Sequence, residues 1–133
     1  MDKIVIVSRD SDLQQLLSSN VTIWNPHDKS MLTLKKFYKE WGIYPSQWPR
    51  VKALAGCNTD DIPGIRGIGE KTAAKFVSGK LKPDTKAGMT IIMEGMKVLE
   101  RNMKLVALPM EGVQTLKIKE NRVSQDRWNK VAK

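Results

Sequence analysis

Residues 56–76, GCNTDDIPGIRGIGEKTAAKF, constrain the fold more than any other stretch of this chain, because four glycines and a proline lie directly ahead of a basic, helix-forming segment. Glycine permits turns and close backbone approaches that a Cβ would obstruct, and the N–H groups at a helix start attract anions. The adjacent carboxylates of Asp60 and Asp61 attract cations instead. The stretch therefore predicts a tight turn into a helix, with groups for a cation and groups for an anion side by side.

Composition restricts the partner and the compartment. The chain has 133 residues, the size of one domain, and a formal net charge of +9, so nucleic acid is the favoured class of anionic partner. No apolar run approaches the roughly 18 residues that a membrane span needs, which argues against a membrane partner. Because Met1 does not open a signal peptide and the single cysteine suits a reducing compartment, we expect a cytoplasmic protein.

The residue pattern predicts an α/β fold. Residues 3–8 and 20–26 are short β-branched runs typical of strands, and a helix is predicted between them. Further helices are predicted over 33–42, 45–56 and 70–78. Two strands cannot form a stable sheet alone. Either the later segment VQTLKIKE (113–120) adds a strand, or a sheet partner is missing.

A longer helix is predicted after the basic loop 80–88, and we expect its apolar face to pack on the sheet. The residues of that face are Met89, Ile92, Met93, Met96 and Leu99. The last segment, SQDRWNKVAK, is interpreted as a terminal helix or a frayed tail.

Two pairs of acids are candidates for metal binding. Asp10 and Asp12 follow the first strand, where carboxylates can converge on a cation such as Mg²⁺ at the carboxyl end of the strand. The alternative is that an aspartate ahead of a helix serves only as its N-cap. Asp60 and Asp61 carry the same alternative, since adjacent acids often only cap a turn. The residues alone leave both interpretations open.

The string GIRGIGEKTA (64–73) matches the hairpin of a helix-hairpin-helix motif. The N–H groups near Ile68, Gly69 and the first turn of the next helix should be free to donate to phosphate oxygens. The predicted DNA contacts are Gly67, Ile68, Gly69, Lys71, Thr72 and Lys75. Such contacts read the strand backbone, so binding should be independent of base sequence and sensitive to salt. Glycine-rich turns also precede helices that bind nothing.

These motifs together resemble the 5′ nuclease family, which comprises flap endonucleases, phage 5′-exonucleases and the 5′ nuclease domain of bacterial DNA polymerase I. IVIVSRDSDLQQLL is similar to the family's strand and Asp-x-Asp motif, and WGIYPSQWPRVKALAG is similar to the helix entering its helix-three-turn-helix. DDIPGIRGIGEKTAAKF is similar to the core of that motif. The resemblance implies the C-terminal portion of a PIN-like 5′ nuclease domain, a short sheet plus helices, with a mainly helical helix-hairpin-helix part.

The resemblance also implies the site. Asp10, Asp12 and Asp60 would be catalytic metal ligands for Mg²⁺ or Mn²⁺ in a two-metal hydrolysis of DNA phosphodiesters. Asp61 stands where the family usually has Asn; as a further ligand it would partly restore the charge lost at Cys57, and the alternative is that it only caps the turn. The hairpin carbonyls would bind K⁺, and the partner would be branched or 5′-ended duplex DNA in a bacterial or phage-infected cell. The implied regions are a partial nuclease core (1–44), the helix-three-turn-helix region (45–86) and a C-terminal helix with a basic tail packing on the core (87–133).

Two departures from the family pattern bear on activity. Cys57 stands where the family usually has Asp, and a thiol is a poor Mg²⁺ ligand, so the second metal site is in doubt. Family members begin with a long segment that carries several more acids and a basic helical arch, and this segment has no counterpart here. We therefore expect a fragment, a split gene product whose other half is a separate polypeptide, or a degenerate descendant. Two functions remain open: a metal-dependent 5′ nuclease, and a helix-hairpin-helix module that binds DNA without cutting it.

Overall fold

The structure is a computed structural model, and it describes residues 2–110, 112–114 and 116. Both predicted strands are confirmed: β1 spans Ile4–Val7 and β2 spans Val21–Asn25. They pair in parallel, with Ile6 opposite Ile23. The third strand of this sheet is β3, Ser30–Leu32, which pairs antiparallel with β2 and gives the order β1-β2-β3. We had expected any additional strand later in the chain; the three-residue β3 is too short to carry a recognisable alternation.

The helices follow the predicted order. The segment after β1 forms a short 3₁₀ helix, Ser11–Leu16, and a second 3₁₀ turn, Pro45–Gln47, leads into a later helix. Among the described residues the α-helices are α1 Leu34–Trp41, which precedes the second turn, α2 Trp48–Ala55, α3 Glu70–Val77 and α4 Lys86–Val106. The two-residue strands β4, Gly56–Cys57, and β5, Ile62–Pro63, pair antiparallel between α2 and α3.

Local sequence accounts for the ends of α1. The Thr33 hydroxyl accepts a hydrogen bond from the Lys36 N–H at 3.3 Å, which caps the start of the helix. Gly42 ends it in the left-handed conformation at φ 68°, where a side chain would be strained. The prediction of a helix over 33–42 that stops at Gly42 is therefore confirmed.

The predicted packing face of α4 is wrong. Met89, Ile92, Met93 and Met96 are exposed, and the helix packs on α2 rather than on the sheet. The buried residues of α4 are Gly88, Ile91, Gly95, Val98, Asn102 and Val106. Gly95 lies on this buried face, where a Cβ would be in ordinary van der Waals contact with Leu54 Cδ2 of α2 at 3.6 Å. The face that packs on α2 therefore combines small residues with Ile91 and Val98, and the larger methionines stay exposed.

The core is centred on α2, with contributions from α1, α3, α4 and β2. Trp48 is completely buried at the start of α2, with its ring edge-on to Phe37 at a centroid distance of 5.4 Å and 4.8 Å from the ring of Trp41. Its indole Nε1 donates to the Ser11 carbonyl at 2.8 Å. One core residue therefore also fixes the turn that carries the first acid pair.

The segments VQTLKIKE and SQDRWNKVAK lie mostly or wholly outside the described residues. Within the part of the chain that the structure describes, no helix combines the length and the apolar character needed to cross a membrane.

Candidate metal and nucleic-acid site

The turn after β1 and the loop after α2 meet at one cleft of about 410 Å³. Asp10 and Asp60, from distant parts of the sequence, both line it. The remaining lining residues are Arg9, Ser11, Cys57 and Thr59. Two of the four predicted metal ligands are therefore brought to the same opening.

Asp10 also serves as a helix cap. Its Oδ1 accepts a hydrogen bond from the Asp12 N–H at 3.0 Å, and its φ and ψ are extended, as an N-cap requires. The Ser8 hydroxyl oxygen in turn accepts from the Asp10 N–H at 3.0 Å. The capping interpretation is thus confirmed, and the metal-binding interpretation of Asp10 stays a prediction beside it.

Asp12 is the most constrained acid of the site. Its Oδ1 is buried and has no hydrogen-bond partner, and Lys52 Nζ lies 3.7 Å away, beyond hydrogen-bond reach. Burial raises the pKa of the Asp12 carboxyl above its usual 3.8; the Lys52 ammonium opposes this shift, and the charges of Asp10 and Asp60 add to it. A buried oxygen without a partner, in a carboxylate repelled by two others, is the kind of atom that a cation stabilises.

Asp60 is engaged by the residue that departs from the family pattern. Cys57 Sγ donates to Asp60 Oδ2 at 3.3 Å. Since the thiol has one proton, the 3.1 Å contact between Cys57 Sγ and the Thr59 hydroxyl has the hydroxyl as its donor. A carboxylate at position 57 would instead face Asp60 as a second anionic oxygen donor.

Asp61 lies apart from the other acids. It ends the 3₁₀ turn Asn58–Asp60 at φ 53° and lines a different cleft, with Ile62 and Pro63. Over residues 2–110, 112–114 and 116, no three histidine, cysteine, aspartate or glutamate side chains lie close enough together to hold a metal ion.

The sequence interpretation missed Lys52, the buried cation of the site. Lys52 is 3% exposed, and its Nζ donates to Ser11 Oγ and to Glu70 Oε1, each at 3.1 Å. Burial lowers the pKa of Lys52, but the hydrogen bond to Glu70 and the nearby negative charges outweigh it, so the pKa lies above its usual 10.5. Its spacing from Trp48 and Ala55 puts Lys52 on the buried face of α2, and this signal was available in the sequence.

Neighbouring side chains hold the acidic turn in place. Gln15 Nε2 donates to the carbonyls of Asp12 and Val106, each at 2.8 Å, so the end of α4 is tied to the 3₁₀ helix. The completely buried Asn102 donates from Nδ2 to the carbonyls of Ala53 and Pro63, each at 2.9 Å. These contacts fix the positions of the two loops that form the cleft.

The hairpin begins with a close backbone contact. A Cβ on Gly56 would overlap the backbone of Ile62 and Gly64, and a Cβ on Gly64 would overlap the backbone of Ala55 and Gly56, so both positions require glycine. Gly67, at φ 80°, and Gly69 have open space where a Cβ would point. The two later glycines therefore leave the backbone accessible, and contact with a phosphate there stays a prediction.

One predicted donor is already used. The Ile68 N–H donates to the Ile65 carbonyl at 3.1 Å, and the Ile68 side chain is buried, so the expectation of a free N–H at Ile68 is wrong. The turn closes on itself there to start α3. The Ala73 N–H donates to the Gly69 carbonyl at 2.9 Å. The N–H groups of α3 that come before Ala73 have no carbonyl partner within the helix, and Gly69 provides no side-chain cap for them.

Lys71 and Lys75 lie on the exposed face of α3, and Thr72 beside them is half-buried. Lys71 Nζ lies 4.3 Å from the centre of the Trp41 ring and 3.7 Å from Glu40 Oε1. The Ile65 and Gly69 carbonyls each accept a backbone hydrogen bond. DNA contacts on this face and a K⁺ ion at the hairpin carbonyls stay predictions.

Sequence comparison gives clear relatives. No protein-family model matches the chain. The chain is 42% identical over 75 residues to a 5′-3′ exonuclease of Aquifex aeolicus, covering 56% of this chain and 26% of the relative. It is 41% identical over 75 residues to the thermostable DNA polymerase I of Thermus thermophilus, covering 56% of this chain and 9% of the polymerase. The match thus spans a small part of each relative.

Solved structures extend the likeness over more of the fold. A bacteriophage T5 flap endonuclease, in a pseudo-enzyme-product complex with DNA and metal ions, matches 81% of this chain and 44% of its own length, at a TM-score of 0.69 and 23% identity. A mutant of the T5 5′-exonuclease matches 81% of this chain and 49% of its own length, at a TM-score of 0.68 and 24% identity. The resemblance and the fold class predicted from the motifs are confirmed: this chain is a homologue of 5′-3′ exonucleases and of DNA polymerase I, with the fold of part of a phage 5′-exonuclease.

Proposed function

We propose that this chain forms part of a metal-dependent 5′ nuclease, a flap endonuclease or 5′-3′ exonuclease, that hydrolyses DNA phosphodiesters. Asp10, Asp12 and Asp60 are the carboxylates assigned to the divalent ion, Mg²⁺ or Mn²⁺. The observation that carries this proposal is that Asp10 and Asp60 line one cleft. The homology to a 5′-3′ exonuclease supplies the reaction class.

The residues fit a divalent ion in part. Carboxylate oxygens are the ligands that Mg²⁺ and Mn²⁺ prefer, and the buried Asp12 Oδ1 lacks a partner that an ion or its bound water would supply. Asp61 lines a separate cleft, so we assign it a weaker contribution to ion binding than the other three aspartates. When bound, such ions activate a water and neutralise charge that develops on the phosphate. The chain's own contribution is to hold these carboxylates with Lys52 and Ser11.

We assign DNA docking to the hairpin and to α3. Gly67 and Gly69 have open space where a Cβ would point, and the first N–H groups of α3, which have no side-chain cap, are donors that would suit an anion. Lys71, Thr72 and Lys75 add two ammonium groups and a hydroxyl on that helix. Ile68 contributes only the geometry of the turn, because its N–H is used internally. The ligand is duplex DNA with a branch or a 5′ end, and the site of action is the cytoplasm of a bacterium or a phage-infected cell.

A second candidate function is a DNA-binding module without turnover. Cys57 favours it, because the thiol occupies a position next to Asp60 where a further carboxylate would complete a ligand set. On this alternative the hairpin binds DNA as above, and no bond is broken.

The experiment that separates the two is cleavage of a 5′-flap DNA in Mg²⁺ or Mn²⁺, with binding to the same DNA followed across a salt series. The variants are Asp10→Ala with Asp12→Ala, and Asp84→Ala as a control for an exposed acid outside the cleft. Cleavage that the double substitution abolishes and the control retains supports the nuclease. Salt-sensitive binding without cleavage supports the DNA-binding module. If the chain neither binds nor cleaves the DNA, both proposed functions are wrong.

A further inference from the structure

The cleft between the end of α1 and α3 is strongly positive. Its volume is about 200 Å³, and its charged lining residues are Lys39, Glu40, Lys71, Lys75 and Lys80. All four lysines are exposed, so their ammonium groups are accessible to a partner. Four ammonium groups against one carboxylate leave an excess of positive charge in a small opening, which raises the local concentration of anions. We call this opening the lysine cleft.

Two glycine-terminated helix ends form the lysine cleft. Gly42 ends α1 at φ 68°, and Gly79 follows α3 at φ 77°. Lys80 comes directly after Gly79, and its N–H donates to the Lys75 carbonyl at 2.8 Å. Its Nζ reaches the other helix, because a Cβ on Gly42 would lie 3.2 Å from it. The Lys80 ammonium therefore lies at the end of α1, whose last turn carries Lys39.

Compensation of the helix ends explains these charges only in part. A lysine near a helix C-terminus is favourable because it offsets the negative end of the helix dipole. Within the described residues, however, Lys71 is the only lysine of the cleft with an ion-pair partner, Glu40 Oε1 at 3.7 Å. The ammonium groups of Lys39, Lys75 and Lys80 repel one another across the cleft. An anion between them would remove that repulsion.

We infer that the lysine cleft binds a second backbone phosphate of the docked DNA, separate from the phosphates assigned to the hairpin. This inference rests on the proposed DNA docking, and it adds Lys39 and Lys80 to the residues that carry it. Lys71 and Lys75 connect the two contacts, because they belong to α3 and also line the cleft. Lysine binds phosphate as a point charge and reads no base, so the second contact is also independent of base sequence.

Glu40 opposes this ligand. Its carboxylate lies 3.7 Å from Lys71 Nζ, so it compensates part of the positive charge before DNA arrives. A phosphate that enters the cleft competes with Glu40 for Lys71 and is repelled by the carboxylate. Loss of the Glu40 charge should therefore strengthen DNA binding, whereas loss of Lys39 and Lys80 should weaken it.

The test is fluorescence anisotropy of a labelled 5′-flap DNA with the whole chain in chelator, across a salt series. The lysine variant is Lys39→Ala with Lys80→Ala, and its matched control is Lys97→Ala with Lys104→Ala, two exposed lysines of α4. We expect the lysine variant to lower the slope of log affinity against log salt concentration by about 0.9, the contribution of one phosphate, and the control to leave it unchanged. Thermal unfolding of each variant establishes that it is folded.

The acid variant tests the same cleft with the opposite sign. We expect Glu40→Gln to bind the flap DNA about twofold more tightly than the wild type, because an exposed charge contributes modestly. Its matched control is Glu94→Gln, an exposed acid of α4, which should bind like the wild type. Weaker binding by Glu40→Gln would contradict the inference.

A second measurement separates a defined phosphate contact from diffuse attraction. Single phosphates of the flap DNA are replaced in turn by neutral methylphosphonates. At least one replacement should weaken binding by the wild type and have no effect on Lys39→Ala with Lys80→Ala. Other replacements, at the phosphates bound by the hairpin, should weaken binding by both proteins.

Three outcomes overturn the inference. If the wild type binds the DNA and the lysine variant binds equally well, or if both pairs of lysines weaken binding equally, the cleft holds no phosphate and the hairpin docking stands. If the slope falls but no methylphosphonate position loses its effect, the cleft acts only through net charge. If the wild type does not bind the DNA at all, the proposed DNA docking is wrong together with the inference.

Discussion

Lys52 Nζ donates a hydrogen bond to Glu70 Oε1 at 3.1 Å, and this contact joins the acidic turn to the first residue of α3. The same ammonium contacts Ser11 Oγ and lies 3.7 Å from Asp12 Oδ1. One buried cation thus links the proposed metal site to the helix proposed to dock DNA. Glu70 additionally lies at the N-terminus of α3, where a negative charge is favourable.

We predict that Lys52→Met destabilises the chain by roughly 2–4 kcal/mol. Removing one partner of a buried ion pair leaves the other charges uncompensated, and partial exposure of Glu70, whose side chain is 38% exposed, lessens the loss. The measurement is urea denaturation in chelator-treated buffer. The double variant Lys52→Met with Glu70→Gln is the control, and it should recover part of the loss, because the stranded carboxylate is then neutral. A loss under about 1 kcal/mol for Lys52→Met would contradict the ion-pair account.

The pKa of Lys52 predicts the pH dependence of that stabilisation. Its folded-state pKa lies above the usual 10.5, so the folded state holds this proton more tightly than the unfolded state does. The stabilisation is therefore complete below the unfolded value and is lost as the pH rises through the raised folded value. We expect the stability gap between wild type and Lys52→Met to be constant near neutral pH and to narrow above pH 10.5. If the stability difference between the wild type and Lys52→Met instead widens above pH 10.5, the raised pKa of Lys52 is wrong.

The charge of Asp12 should destabilise the folded state, whereas the charge of Lys52 stabilises it. Because burial raises the pKa of Asp12, the ionised form at neutral pH destabilises the folded state in the absence of metal. We predict that Asp12→Asn raises the unfolding free energy by about 0.5–2 kcal/mol in chelator. The stability advantage of Asp12→Asn over the wild type should shrink as the pH falls through the raised folded-state pKa. It should vanish below 3.8, where the wild-type carboxyl is neutral in both the folded and the unfolded state.

Added Mn²⁺ supplies the second half of that test. Binding to the folded state alone raises stability by mass action. The wild type should therefore gain in melting temperature on addition of Mn²⁺, and Asp12→Asn should gain less. Equal gains for both proteins would exclude Asp12 from the ion's ligands.

Much of the scaffold could be predicted from sequence, because local signals decide it. The β-branched run of β1, the Thr33 cap and Gly42 stop of α1, and the glycine hairpin before α3 each specify their structure within a few residues. The approach of Asp10 and Asp60 to one cleft followed from the motif resemblance and not from local pattern, since the two residues belong to separate loops.

The failures came from tertiary contacts that local patterns do not specify. The apolar face of α4 was assigned by side-chain size, but the face that packs on α2 is the opposite one, with Gly95 beside Leu54. The Ile68 N–H was expected to be free, but the turn closes through the Ile65 carbonyl. Lys52 was overlooked because its partners, Asp12 and Glu70, lie far from it in sequence. Buried charges can be located by spacing, but their partners cannot.

Cys57 provides a direct test of the metal proposal. We predict that Cys57→Asp raises the affinity for Mn²⁺ by about tenfold or more, because an oxygen donor then replaces a thiol beside Asp60. Cys57→Ser is the matched control, since it keeps the size and adds no charge. Isothermal titration calorimetry with Mn²⁺ measures both. If the two variants bind Mn²⁺ equally, the neighbourhood of Asp60 is not part of an ion site.

The last prediction concerns the face of α3. Each lysine that contacts a phosphate contributes about 0.9 to the slope of log affinity against log salt concentration on duplex DNA. Lys75→Ala should therefore lower that slope by about 0.9 and weaken binding equally for different base sequences. Lys71→Ala should have a smaller effect, because its ammonium already lies 4.3 Å from the Trp41 ring centre and 3.7 Å from Glu40 Oε1, and part of its charge is compensated before DNA arrives. Lys97→Ala, an exposed lysine of α4, is the control and should leave the slope unchanged. Fluorescence anisotropy across a salt series gives all three slopes, and a slope that falls as much for Lys97→Ala as for Lys75→Ala would mean that binding follows net charge rather than the α3 face.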